Sequence, residues 1–178
     1  MRSAIFVLSI IIFLIFGFNS TVFCADSMKI GVVDFQKIVN ESSAGKMTQQ
    51  KIKAKGDGFQ KKLQDEKGQL DEMKKTFERE SLILSPEKQK EKQREFGKKV
   101  NDFKMMQQNS ARQLKQLEVQ LFNEMQKEVF VIANEIGEKD GYQIIVEKKT
   151  AGVIFCQDSL DITDKIIKQY NLKVSKTN

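Results

Sequence analysis

The chain runs to 178 residues, with 30 Lys and Arg against 24 Asp and Glu for a net charge of +6, and it contains no histidine. The missing imidazole excludes Ser-His-Asp and Cys-His nucleophiles, HExxH zinc sites and histidine acid–base chemistry. The positive balance points toward anionic partners, so where the charge lies along the chain becomes the useful question.

Met1-Arg2 is followed by a nearly continuous apolar run from Ala4 to Phe18 and then by Thr21-Val22-Phe23-Cys24-Ala25-Asp26. This is the layout of a secretory signal peptide over residues 1–24. The run is short of the roughly 20 apolar residues that a transmembrane helix needs. Val22 and Cys24 suit cleavage before Ala25, whereas cleavage before Asp26 places bulky Phe23 three residues upstream. A lipidated Cys24 is disfavoured by that same Phe23. After processing only Cys156 remains, so no internal disulfide can form even in an oxidising compartment. Cys156 closes the apolar run Gly152-Val-Ile-Phe-Cys156 and reads as a small buried hydrophobe.

Met28-Lys-Ile-Gly-Val-Val-Asp34 has the β-branched content of a buried strand. Asp34 is placed to cap a helical turn carrying Phe35, Ile38 and Val39 at i, i+3, i+4. Ser42-Ser43-Ala44-Gly45 predicts a bend. Beyond it, residues 44–128 are dominated by Lys, Glu, Gln, Asp, Leu, Phe and Met, and Pro86 is the only proline in the chain. Proline inside a helix costs roughly 3 kcal/mol but is accepted at its first position. Ser85 as cap, Pro86 at N1 and Glu87 at the positive helix end predict that one helix ends near Leu84 and a second begins at Pro86. The segments 44–84 and 87–128 are of matched length. They predict an antiparallel hairpin with its tip near 84–87 and a reach of about 60 Å.

Leu63, Leu70, Phe77 and Leu84 recur every seven residues on the first arm, with Phe59 and Met73 on the interleaved seam. The second arm offers Phe96, Val100, Phe103, Ser110, Leu114, Leu117 and Leu121, then thickens into Phe122, Met125, Val129, Phe130, Ile132 and Ile136. Gly56, Gly58, Gly68 and Gly97 interrupt helical pattern, and Gly56-Asp57-Gly58 is the candidate hinge. Gly137-Glu-Lys-Asp-Gly141 can end the helix. Tyr142–Glu147 and Val153–Cys156 read as strands about a turn at Lys148–Gly152, and Leu160–Tyr170 closes the chain as an amphipathic helix capped by Asp161 or Ser159.

The fold class that follows is α+β, mainly α, with a long helical hairpin over 44–128 projecting from a small β-rich body. Residues 25–43 and 129–178 build that body. Three short strands and a helix make a meagre core, so self-association through the sheet is expected. Ile30, Val32, Ile144, Val146 and Ile154 are the candidate oligomerisation residues. Residues 44–128 hold 20 Lys and Arg against 14 Asp and Glu, so the arms carry the whole positive excess.

Three segments resemble one family. Lys29-Ile-Gly-Val-Val-Asp34-Phe-Gln-Lys running to Ser43-Ala-Gly-Lys46 resembles the opening of the Skp/OmpH-like periplasmic chaperones. Leu84-Ser-Pro-Glu-Lys88 through Glu95-Phe96 is similar to their arm tip. Ser159-Leu-Asp-Ile-Thr-Asp164 followed by Lys165-Ile-Ile-Lys-Gln-Tyr-Asn171 is similar to their C-terminal signature. The resemblance implies a homotrimer whose helical tentacles enclose a cavity. It also implies ATP-independent holding of unfolded outer-membrane proteins in the periplasm; no cofactor, metal or catalytic residue is expected.

Physical reasoning leads to a similar place. An unfolded client is held by many weak contacts, and Phe59, Met73, Phe77, Met105 and Met106 offer sparse apolar points among dense charge. Leu63, Leu70, Leu114 and Leu117 read as the seam that zips the arms. Basic arms attract acidic clients, and an anionic lipid or lipopolysaccharide contact is a further expectation. Nucleic-acid binding is disfavoured by interleaved acids, scarce Arg and the lack of an aromatic platform. Asp158, Asp161 and Asp164 recur at spacing three, which helix capping explains without an enzyme or a cation. A purely structural envelope coiled coil is the rival reading.

Overall fold

The computed structural model describes residues 28–177; the expected leader over 1–24 and its cleavage bond lie outside them. Strand β1 spans Ile30–Val33 and leads directly into helix α1, Phe35–Glu41. Asp34 caps α1 as its sequence position predicts, its Oδ1 accepting from Lys37 N at 3.0 Å. Ser42 then sits at the elbow between α1 and α2 (Ser43–Glu80), extended in backbone, fully buried, and accepting from Gly45 N at 3.0 Å. The turn is so tight that a Cβ on Gly45 would lie 2.0 Å from the Val39 carbonyl oxygen. Only glycine fits there.

Helix α2 runs through Gly56, Gly58 and Gly68 without a break, and α3 occupies Pro86–Asp140 as one 55-residue helix. The two pack against each other along the arm. The return helix begins as the lone proline requires: Ser85 is its N-cap, Pro86 stands in the first turn and Glu87 supplies the first-turn acid. The outgoing helix stops at Glu80, four residues earlier than the heptad pattern predicts. Reversing direction takes several residues of loop, and the residue before proline is pushed out of helical conformation. Those residues come from the end of α2. Ile83 N and Leu84 N both donate to Glu80 O, and the Gln89 amide donates to the carbonyls of Ser81 and Leu84.

Helix α3 carries the arm directly into the body and ends at Gly141, whose φ of 72° is the left-handed cap that glycine favours. The chain then forms β2, Ile144–Glu147, parallel to β1 with Ile30 opposite Ile144 and Val33 opposite Glu147. Parallel neighbours need a crossover connection, and here the crossover is the entire hairpin. Val32 also bridges to Asp161 on the other side of β1. After a short 3₁₀ turn at Asp158–Leu160, helix α4 closes the body over Thr163–Thr177.

The expected third strand does not form. The turn at Lys148–Gly152 is present, with Ala151 N donating to Glu147 O and Val153 N to Lys148 O, but Val153–Cys156 has no partner strand. The expected partner is β2, whose outer edge has no neighbour among the described residues, but the chain leaves the turn without returning along that edge. The β content is two four-residue strands, and helices supply most of the core. Ile38 and Val39 of α1, Met125, Val129, Ile132 and Ile136 of α3, and Ile162, Ile166 and Tyr170 around α4 are all buried together with Val33. The widening of the apolar pattern after Phe122 marks the point where α3 leaves the arm and enters this core.

Candidate functional site

The five arm residues singled out in the sequence fall into two clefts between α2 and α3. Phe59, Met105 and Met106 line an open groove of about 510 Å³ together with Lys55, Lys62 and Asp102. Lys55 and Phe59 are one turn apart, and the Lys55 Nζ stands 5.0 Å from the Phe59 ring centroid. Met105 and Met106 are successive on α3 and therefore point about 100° apart. Met106 is half-buried while Met105 remains 52% exposed. Met73 and Phe77 line a smaller cleft of about 160 Å³ with Phe96, flanked by the ion pair between Lys92 and Glu80. Fourteen residues of helix separate Phe59 from Met73, about 21 Å of arm. The seam leucines Leu63, Leu70, Leu114 and Leu117 are half-buried, as zipping residues between two helices should be. The candidate hinge is continuous helix, and the Leu114 side chain lies 3.6 Å from where a Cβ on Gly56 would stand.

Charge on the arm is polarised along its length. Residues 46–62 and 98–115 carry eleven Lys and Arg against only Asp57 and Asp102, and both stretches contribute to the Phe59 groove. Residues 63–97, toward the tip, carry eight against nine. The positive field is therefore focused at the larger groove. The sequence reading assigned the excess to the arms as a whole and missed this gradient. It is visible once the hairpin register places the two stretches side by side.

The proposed assembly residues are spread differently. Val32 is 4% exposed and belongs to the protomer's own interior, while Ile30 and Val146 are half-buried. Ile144 is 46% exposed and Ile154 is 99% exposed. Phe155, not singled out in the sequence, is 81% exposed, and Phe130, expected with the thickened apolar face of the second arm, is 67% exposed because it lies on the side of the helix away from the core. Sequence reasoning also missed Leu82 and Ile83 at the arm tip. The signal was available: Leu82-Ile83-Leu84 is an apolar triplet set in charged surroundings, immediately before the turn sequence Ser85-Pro86.

Polar contacts at the base tie α4 to α1 and to the C-terminal part of α3. Lys37 Nζ meets Asp164 at 2.7 Å, Lys165 pairs with Asp140, and the Tyr170 hydroxyl donates to Glu128. The bond to Lys165 holds the Asp140 carboxyl below its usual range and raises the Lys165 ammonium. Burial, reinforced by the Glu128 carboxylate, raises the Tyr170 hydroxyl well above an ordinary phenol. For Asp161, burial acts to raise the carboxyl, but hydrogen bonds from Thr163 outweigh it and the net shift is downward. The aspartates at 158, 161 and 164 thus have separate tasks in turn, cap and ion pair. Among the described residues no cluster of His, Cys, Asp and Glu has the makings of a metal site. Cys156 is half-buried rather than enclosed.

A slender helical hairpin with open apolar grooves and a cationic inner half, rising from a small mixed body, defines an open-armed helical-hairpin protein. The chain belongs to the OmpH-like outer membrane protein family, whose sequence profile matches residues 29–170. An OmpH-like protein from Caulobacter crescentus CB15, solved by crystallography and provisionally described as an outer membrane chaperone, has a similar fold. The two superpose with a TM-score of 0.76 at 14% identity, over 82% of this chain and 85% of that one. No curated protein matches the sequence.

Proposed function

We propose that this chain is an ATP-independent periplasmic holdase that binds unfolded outer-membrane proteins and keeps them from aggregating in transit. The observation that carries the reading is the Phe59–Met105–Met106 groove set within the most basic stretch of the arm. Unfolded chains present apolar side chains in no fixed order, and flexible methionines beside one aromatic ring suit such variety. Lys55 and Lys62 at the groove draw in acidic clients, and the same charge favours contact with anionic lipid or lipopolysaccharide. The Met73–Phe77 cleft is a second weak point further along the arm, so that one client meets several. The leader over residues 1–24 directs export, and cleavage leaves the protein in the periplasm. Three copies assemble through the body, covering Ile144, Ile154, Phe155 and Phe130, which a lone protomer leaves in water. Neither catalysis nor a cofactor enters this activity, and no specific nucleic acid is recognised.

Light scattering tests it. A urea-denatured outer-membrane β-barrel diluted into buffer aggregates, and the processed protein at near-stoichiometric trimer should suppress the scatter without ATP. Unchanged scatter would leave a structural envelope coiled coil as the function. Native mass measurement tests the trimer separately.

A further inference from the structure

Neither arm cleft includes the two residues at the very apex of the hairpin. Leu82 is 91% exposed and Ile83 is 84% exposed, while their neighbour Leu84 is half-buried. They are not side chains of a frayed end. The turn is tied off beneath them by the Gln89 amide on the carbonyls of Ser81 and Leu84, by the Lys92–Glu80 ion pair and by the Ser85 cap. The 38 residues of α2 carry this apex about 57 Å from the elbow. It is therefore the part of the molecule best placed to meet a surface that the body does not touch.

Shape narrows the partner. An apex that presents two adjacent large apolar side chains is convex, whereas an extended polypeptide is gripped by a groove or a sheet edge. A protein partner would need a matched socket. A fluid lipid interface needs none, because it deforms around the inserted side chains. The flanking charge is balanced over the outer arm and does not oppose insertion. Glu78 and Glu80 are paired with Lys74 and Lys92. Glu87 faces the positive end of α3. Arg79, Lys88 and Lys90 remain exposed within a turn or two of the apex, on stems long enough to reach phosphate while the apolar pair goes deeper.

We infer that the arm tip enters the interface of a phospholipid bilayer, with Leu82 and Ile83 in the acyl boundary and Arg79, Lys88 and Lys90 at the phosphates. This goes beyond the lipid contact proposed above, which is electrostatic and belongs to the inner arm. It stands or falls independently of client holding.

The chain has no tryptophan, so Leu82→Trp in the exported, processed protein gives a single reporter at the tip, and Leu172→Trp, at an exposed position of α4, gives one on the body. Phosphatidylcholine–phosphatidylglycerol vesicles should shift the Leu82→Trp emission to the blue and allow brominated acyl chains to quench it, and high salt should not abolish either effect. The Leu172→Trp emission should stay unchanged. Leu82→Ser with Ile83→Ser should weaken vesicle co-sedimentation by at least about tenfold, with the circular dichroism spectrum unaltered. No shift at Leu82→Trp, an equal shift at Leu172→Trp, or loss of the shift in high salt would each overturn the proposal. So would a shift that appears only with a denatured client, which would make the tip a protein contact.

Discussion

Two glycines separate packing from propensity. At Gly45 an added Cβ meets backbone, the Val39 carbonyl oxygen at 2.0 Å, and backbone cannot rotate away as a side chain can. Gly45→Ala should cost about 3 kcal/mol and lower the urea midpoint, because the elbow must open. An added methyl at Gly58 or Gly68 would find nothing within 4 Å, and both lie within α2. Alanine at either should stabilise by about 1 kcal/mol and raise the midpoint. Tyr170 governs the alkaline limit. Its hydroxyl is held protonated in the fold by burial and by Glu128, so the stability it contributes is complete below an ordinary phenol value of about 10 and declines as pH rises above it. Tyr170→Phe should cost about 1 kcal/mol at neutral pH and remove the part of the alkaline decline that Tyr170 causes, as read by denaturation across pH. Asp140 and Asp161, both depressed, act oppositely: their stabilisation is present above an ordinary carboxylate value of about 3.9 and is lost as pH falls through the folded values.

At the scale of elements, Pro86 ties sequence to structure most directly. It occupies a position whose N–H would have had no helical partner, so Pro86→Ala should change stability by no more than about 0.5 kcal/mol. Ser85→Ala, which removes the cap, should cost about 1 kcal/mol. Thermal denaturation of the two variants separates them, and a large loss from Pro86→Ala would contradict the exposed tip. The helices and their caps were legible because each depends on its own residues: a heptad stripe, Ser-Pro-Glu at one start, Asp34 at another, glycine at one end. The strand at Val153–Cys156 was not legible in the same way. A β-branched run states a preference for pairing but not that the chain will fold back along the available edge of β2, which here it does not. The early end of α2 was hidden for a related reason, since a heptad continues on paper through residues that the reversal needs as loop. For the site, the side chains were readable and their grouping was not. Whether Phe59 faces Met105 depends on hairpin register, which loosely repeating arms do not specify.

For the whole molecule, the distribution of charge and apolar side chains divides the proposed holding activity into capture and retention. Cations crowd the inner half of the arm around the larger groove, while the outer half is balanced. Long-range attraction of an acidic client therefore acts chiefly on the encounter and is screened beyond about 8 Å at physiological salt. In the proposed holdase, the contacts that keep the client are short-range burial of its side chains against Phe59, Met105 and Met106, which salt barely touches. Stopped-flow mixing with a labelled unfolded β-barrel resolves the two steps. Lys55→Gln with Lys62→Gln should slow association severalfold and reduce its salt dependence, leaving dissociation nearly unchanged. Phe59→Ser with Met105→Ser should leave association almost intact and speed release by about tenfold, since most affinity differences within one interface reside in the off-rate. If instead the lysine variant released faster and the apolar variant captured more slowly, the groove would be an electrostatic clamp, and the methionines would serve only to zip the arms.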